Sequence, residues 1–108
     1  MSSLTFTEAI LAMSPAARAV LDAVAAQIPW VPIPAIQLPN EEDPDRTVLS
    51  WSYANTYVEI EIDSDGYSWF AREHVTGAYD GSEEAGPDPL PPGAIPWLQR
   101  VSKRSQNV

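Results

Sequence analysis

Apolar residues recur at two different periods along this chain, and each period predicts a different kind of element. Between Pro15 and Ile28, the residues Ala17, Val20, Leu21, Val24 and Ile28 fall three or four positions apart, while Arg18, Asp22 and Gln27 fall off that stripe. This is the period of an amphipathic helix lying on a core. Ser14 followed by Pro15 supplies an N-cap and a first helical residue that needs no amide partner. Upstream, Thr5 with Glu8 three residues later reads as a capping box. The helical region 5–28 is therefore expected to hold a short helix near 6–13, a break at Met13–Ser14 and a longer helix near 15–27.

From residue 47 the period changes to two. Leu49, Trp51 and Tyr53 alternate with Val48, Ser50 and Ser52, and Val58, Ile60 and Ile62 alternate with Glu59, Glu61 and Asp63. Such alternation marks strands with one dry and one wet face. With turns at Asn55–Thr56 and at Asp65–Gly66, a favourable hairpin pair, Trp51 would face Ile60, Ile62 would face Trp69, and Glu59 would face Arg72. The prediction is a three-stranded antiparallel meander over 47–75.

Proline governs the segments on either side. Four prolines in 29–39 forbid a helix or a central strand there and favour a polyproline-II path. Because Trp30, Ile33, Ile36 and Leu38 are too apolar for a free linker, segment 29–46 is expected to cross the domain with these side chains tucked in. A proline-rich docking ligand is the alternative. Residues 76–93 read as an irregular acidic Gly/Pro loop, and 95–104 as a short final helix with Trp97, Leu98 and Val101 on one side. The fold class is α+β: a single domain with the meander packed on the N-terminal helix and proline-rich segments wrapping it.

Composition changes this picture in three ways. A length of 108 residues leaves room for one modest core. The absence of Cys removes disulfides, thiolate metal sites and cysteine nucleophiles together. A net charge of −9, from 15 acids against 6 bases, disfavours direct nucleic-acid binding, which draws its affinity from cations on phosphates. That charge is clustered: 41–45, 59–65 and 80–88 each carry −4, and the basic residues Arg100, Lys103 and Arg104 close the chain. No stretch is long and apolar enough for a membrane span and none reads as an export signal, so a cytoplasmic location is expected.

Catalytic and metal-binding patterns are weak. His74 is the one histidine and its neighbour Glu73 would point to the opposite face of a strand. Glu61, Asp63, Asp65 and Gly66 match the first positions of a calcium loop, but Arg72 stands where the closing bidentate glutamate belongs. No phosphate loop or nucleophile elbow is present. The expectation is a protein that is not an enzyme and needs no cofactor or metal.

A helix, then I-P-x-x-P-x-P, V-L-S-W, V-E-I-E-I-D-S-D-G and Y-S-W-F, resembles short uncharacterised reading frames of bacterial and phage genomes over roughly residues 15–72. That resemblance is built from fold-forming positions and carries no catalytic residues; in size and charge alone, by analogy, the chain is also similar to phage anti-CRISPR and other anti-defence inhibitors. This analogy implies a non-enzymatic inhibitor of a basic, nucleic-acid-binding protein. The alternatives are an antitoxin- or immunity-like neutraliser of a toxin, and a phage structural or assembly protein. The expected partner-binding residues are Tyr57, Glu59, Glu61, Asp63 and Phe70 on the wet face of the meander, with Glu41, Glu42 and Asp43 in the acidic loop. The alternative for Phe70 is cover by the C-terminal helix or the proline-rich segment.

Overall fold

The expected break between the first two helices is present and its cause is local. In the computed structural model, which describes residues 6–42, 44–53, 55–63, 66–84 and 91–106, helix α1 runs Phe6–Ala12 and helix α2 runs Pro15–Gln27. Ser14 is extended at ψ 157°, and its side chain accepts a hydrogen bond from the Ala17 amide at 3.2 Å. Arg18 crosses the break and donates from Nη2 to the Ile10 carbonyl at 2.7 Å. The stripe Ala17, Val20, Val24 and Ile28 is buried, as the helical period requires. The expected Thr5 cap lies outside the described residues.

The sheet has five strands rather than three: β1 Ala35–Gln37, β2 Thr47–Tyr53, β3 Thr56–Asp63, β4 Gly66–Glu73 and β5 Tyr79–Glu84, all antiparallel and in chain order across the sheet. Both added strands lie at edges. β1 sits between Pro34 and Pro39, where an edge position tolerates residues that donate no amide. β5 occupies the start of the segment expected to be an irregular loop. It returns from β4 through a short loop in which the Gly77 amide donates to the Glu73 carbonyl at 2.9 Å, with Gly77 at φ +74°, a conformation L side chains rarely adopt.

Both central registers differ from expectation by two residues. Tyr53 pairs with Thr56, so Trp51 faces Val58 and Leu49 faces Ile60. Asp63 pairs with Gly66, so Ile60 faces Trp69 and Glu59 faces Phe70, while Arg72 faces Tyr57. The predicted Glu59–Arg72 pair is therefore absent. Thr56 is β-branched and joins the strand, which moves the first loop one residue back. A shift of two leaves every side chain on its predicted face.

The inner face carries Leu49, Trp51, Val58, Ile60, Ile62, Trp69 and Ala71, all buried. The N-terminal helix does not cover it alone. A 3₁₀ turn at Pro92–Ala94 leads into helix α3, Ile95–Gln106. α3 packs on β2 and β3, with Leu98 and Val101 fully buried, and α2 packs on β3. The proline-rich segment tucks in only part of what was expected. Ile36 and Leu38 pack on the core, but Trp30 is 62% and Ile33 70% exposed. Pro29 and Trp30 lie in a turn closed from the Val31 amide to the Ile28 carbonyl. The Pro32 carbonyl accepts from Trp51 Nε1 at 2.9 Å, which ties the segment to the largest fully buried side chain.

Two stability outcomes follow from this packing. Trp51→Ala removes a 2%-exposed side chain and the tie to Pro32; a loss of about 3–5 kcal/mol is expected in denaturant unfolding, and a loss below ~1 kcal/mol would place Trp51 outside the core. At Gly93 an added Cβ would lie 2.5 Å from Trp69 Cζ2, so Gly93→Ala should cost about 1–3 kcal/mol through overpacking.

Candidate functional site

The face of the sheet opposite the core is the one the helices leave open, since the buried residues of α2 and α3 join the inner cluster and Ile10 of α1 packs against it. Register places its residues in rows across the strands. One row is Ser52, Tyr57, Arg72 and Tyr79; the next is Ala35, Ser50, Glu59, Phe70 and Gly81; the third begins Gln37, Val48, Glu61 and Ser68. Tyr57, Glu59 and Glu61 are half-buried and Asp63 is exposed on β3, the central strand. Phe70 is half-buried on this same face. α3 packs on the other side of the sheet and so does not stand over it, and β1 lies at the far edge.

The carboxylates of β3 are brought into line but are not equivalent. Glu61 Oε1 pairs with Arg46 Nη1 at 2.8 Å, and its Oε2 accepts from Ser68 Oγ at 3.4 Å. Glu59 Oε1 accepts from the Tyr57 hydroxyl at 2.7 Å. Burial is the main reason that the Tyr57 phenol is pushed up to about 12; the hydrogen bond to Glu59 and the charge of Glu59 add to it, against smaller opposing effects of Ser50 and Arg72. These side chains, with Ala35, Gln37, Val48 and Ser50, line an open groove of about 320 Å³ across β1, β2 and β3.

The same topology sorts charge along the strands. β2 begins where β3 ends, where β4 begins and where β5 ends. That end of the sheet therefore gathers the 38–46 connection, with exposed Glu41 and Glu42, together with Asp63. The Glu42 amide donates to Asn40 Oδ1 at 2.9 Å, which shapes this connection. Asp43 lies outside the described residues. At the opposite end stand Tyr57, Arg72 and Tyr79, the last 75% exposed.

Sequence reasoning missed Arg46 as a partner of Glu61, and Arg100 as the partner of Glu73 at 3.8 Å. Residue separation offers no signal for either; the first needs the β2–β3 register. His74 follows β4, is exposed, and donates its amide to the Asn55 carbonyl at 2.9 Å, a role in joining two loops. Glu61 and Asp63 lie on one extended strand and not in a calcium-type loop; Asp65 lies outside the described residues. Among the described residues no group of three or more His, Asp or Glu could hold a metal ion, and no helix is long and apolar enough to cross a membrane. Comparison with protein-family models, curated proteins and solved structures gives no match.

The shifted phenol gives a direct test of the site. A group whose folded value is raised stabilises the fold fully below its unfolded value, near 10, and loses that contribution as pH climbs through about 12. Tyrosinate absorbance should show a late step that Tyr57→Phe removes. If the substitution instead removes a step near the ordinary value of 10 and leaves the late step in place, the raised Tyr57 phenol is refuted.

Proposed function

We propose that this chain is a non-enzymatic domain that binds a protein with a basic surface through the open face and acidic end of its sheet. The observation that carries this reading is the placement of Glu59, Glu61 and Asp63 along one side of the central strand, on the face without helices. Alternate residues on a strand recur every ~6.6–6.8 Å, so the row presents regularly spaced carboxylates to an approaching cationic surface. Phe70 and Tyr57 on the same face add the aromatic contact area that protein interfaces favour. Exposed Glu41 and Glu42 extend the acidic area at one end.

The partner class that suits such a surface is a nucleic-acid-binding protein, whose lysines and arginines are arranged to meet phosphates. The chain would then act as its inhibitor, in the manner of an anti-CRISPR or other anti-defence protein. The Arg46–Glu61 pair refines the chemistry: part of the row is already neutralised from within, so the face combines carboxylates with aromatic and hydroxyl groups and is more than a string of negative charges.

The test uses a decaarginine peptide as the basic probe. Native protein should bind it with an affinity that falls as salt rises, because the Debye length shortens from about 10 Å at 0.1 M to about 3 Å at 1 M. The variant carrying Glu59→Gln, Glu61→Gln and Asp63→Asn should melt near the native temperature, since the Arg46–Glu61 pair is partly exposed and such pairs contribute little. Its affinity should fall tenfold or more, mainly through slower association. Unchanged affinity would end the strand-face reading and move the contact to the acidic segments at 41–45 or 80–88.

A further inference from the structure

The groove across β1, β2 and β3 holds two carboxylates from one strand, and among the described residues only one of them is held in an ion pair. Glu61 is matched by the Arg46 guanidinium at 2.8 Å. Glu59 lies two residues earlier on the same face, ~6.6–6.8 Å away along the strand. It accepts from the Tyr57 hydroxyl, and among the described residues it forms no ion pair with a basic side chain. Its neighbours across the sheet are Ser50 on one side and Phe70 on the other. Beyond Ser50, the β1 position in this row is Ala35, whose single methyl leaves the groove open toward the edge.

We infer that this groove is a receptor for one arginine side chain of the basic partner, with Glu59 as the acceptor of its guanidinium. The inference rests on the reading that the open face binds a basic protein, and it names the contact. The Tyr57 hydroxyl fixes the Glu59 carboxylate in orientation while occupying only one of its oxygens. Tyr57 lines the groove beside that carboxylate, and Phe70 faces Glu59 from β4. A planar, weakly hydrated guanidinium can donate to a carboxylate and lie against a ring at once, whereas an ammonium is a compact, strongly hydrated charge that gains less in such a half-buried place. Arg46 on Glu61 shows, in the adjoining row, that this face already holds a guanidinium against a strand carboxylate. Glu59 presents the next carboxylate on that strand and forms no ion pair of its own among the described residues, while Arg72 stands one row away, facing Tyr57.

The experiment follows the backbone amides of the full, isotope-labelled chain by NMR while the tripeptides Gly-Arg-Gly and Gly-Lys-Gly are added at low salt. Gly-Arg-Gly should shift the amides of Ser50, Tyr57 and Glu59, and bind at least tenfold more tightly than Gly-Lys-Gly. Glu59→Gln should abolish those shifts. Ser50→Arg keeps the carboxylate and supplies a cation from the facing position, so it should abolish them as well; it carries the test if Glu59→Gln fails to fold. Equal binding of the two tripeptides, or Gly-Arg-Gly shifts that survive both substitutions, would overturn the receptor. Decaarginine separates the two levels of interpretation. If it binds Glu59→Gln as tightly as native protein, the receptor falls and the acidic-surface reading stands. If it fails to bind native protein at all, both fall.

Discussion

Everything in this fold answers to one requirement: seven apolar side chains on one side of β2, β3 and β4 must be kept from water. Strand alternation puts them there, and the two-residue period allows no compromise, because a strand slipped by one position would bury its carboxylates instead. The chain meets the requirement from both ends. α2 arrives first and covers β3; α3 arrives last and covers β2 and β3. Between them the proline-rich segment is tied down by Trp51 Nε1 on the Pro32 carbonyl, which gives the buried indole its hydrogen-bond acceptor. The 3₁₀ turn before α3 closes on Trp69 at Gly93, where a side chain would not fit. With both helical layers committed to one side, the other side is left to polar and aromatic residues, with the aliphatic Ala35 and Val48 among them.

Which parts of this were legible in the sequence follows from what periodicity encodes. Alternation fixes the face of each residue, and every face assignment in β2, β3 and β4 agrees with the structure. It says nothing about sliding by two, so Leu49 opposite Ile62 and Leu49 opposite Ile60 are equally good readings of the pattern; the loop decides, and a β-branched Thr56 belongs in the strand. The edge strands were hidden for a different reason. A-I-Q is too short to show a period, and Y-D-G-S-E-E has no apolar alternation because an edge strand need not bury one face. α2 was legible to the residue, because a serine cap, a proline at the first position and an apolar stripe all agree.

For the candidate site, the sequence supplied the row Glu59, Glu61 and Asp63 and the presence of Phe70 beside it. It could not supply the inequality within the row. The partner of Glu61 is 15 residues away in sequence and comes from the connection before β2; only the true register brings it near. Tyr57 on Glu59 is a same-strand contact at a spacing of two, visible in principle from alternation alone, since both residues point to the open face. The lesson is specific: a list of acids on a strand measures formal charge, and the neighbouring strands determine how much of it is available.

The two outer strands carry a consequence of their own. An open sheet exposes unpaired amides and carbonyls along its margins, and such margins recruit further strands from other copies of the chain. Here one margin is a three-residue strand set between Pro34 and Pro39, and the other is a strand whose sequence carries Asp80, Glu83 and Glu84. The first offers too few donors for a continuing ladder, and the second brings like charges together whenever two copies align. Growth of the sheet sideways is therefore disfavoured at both borders, and the helix-free face lies between two margins that resist further pairing.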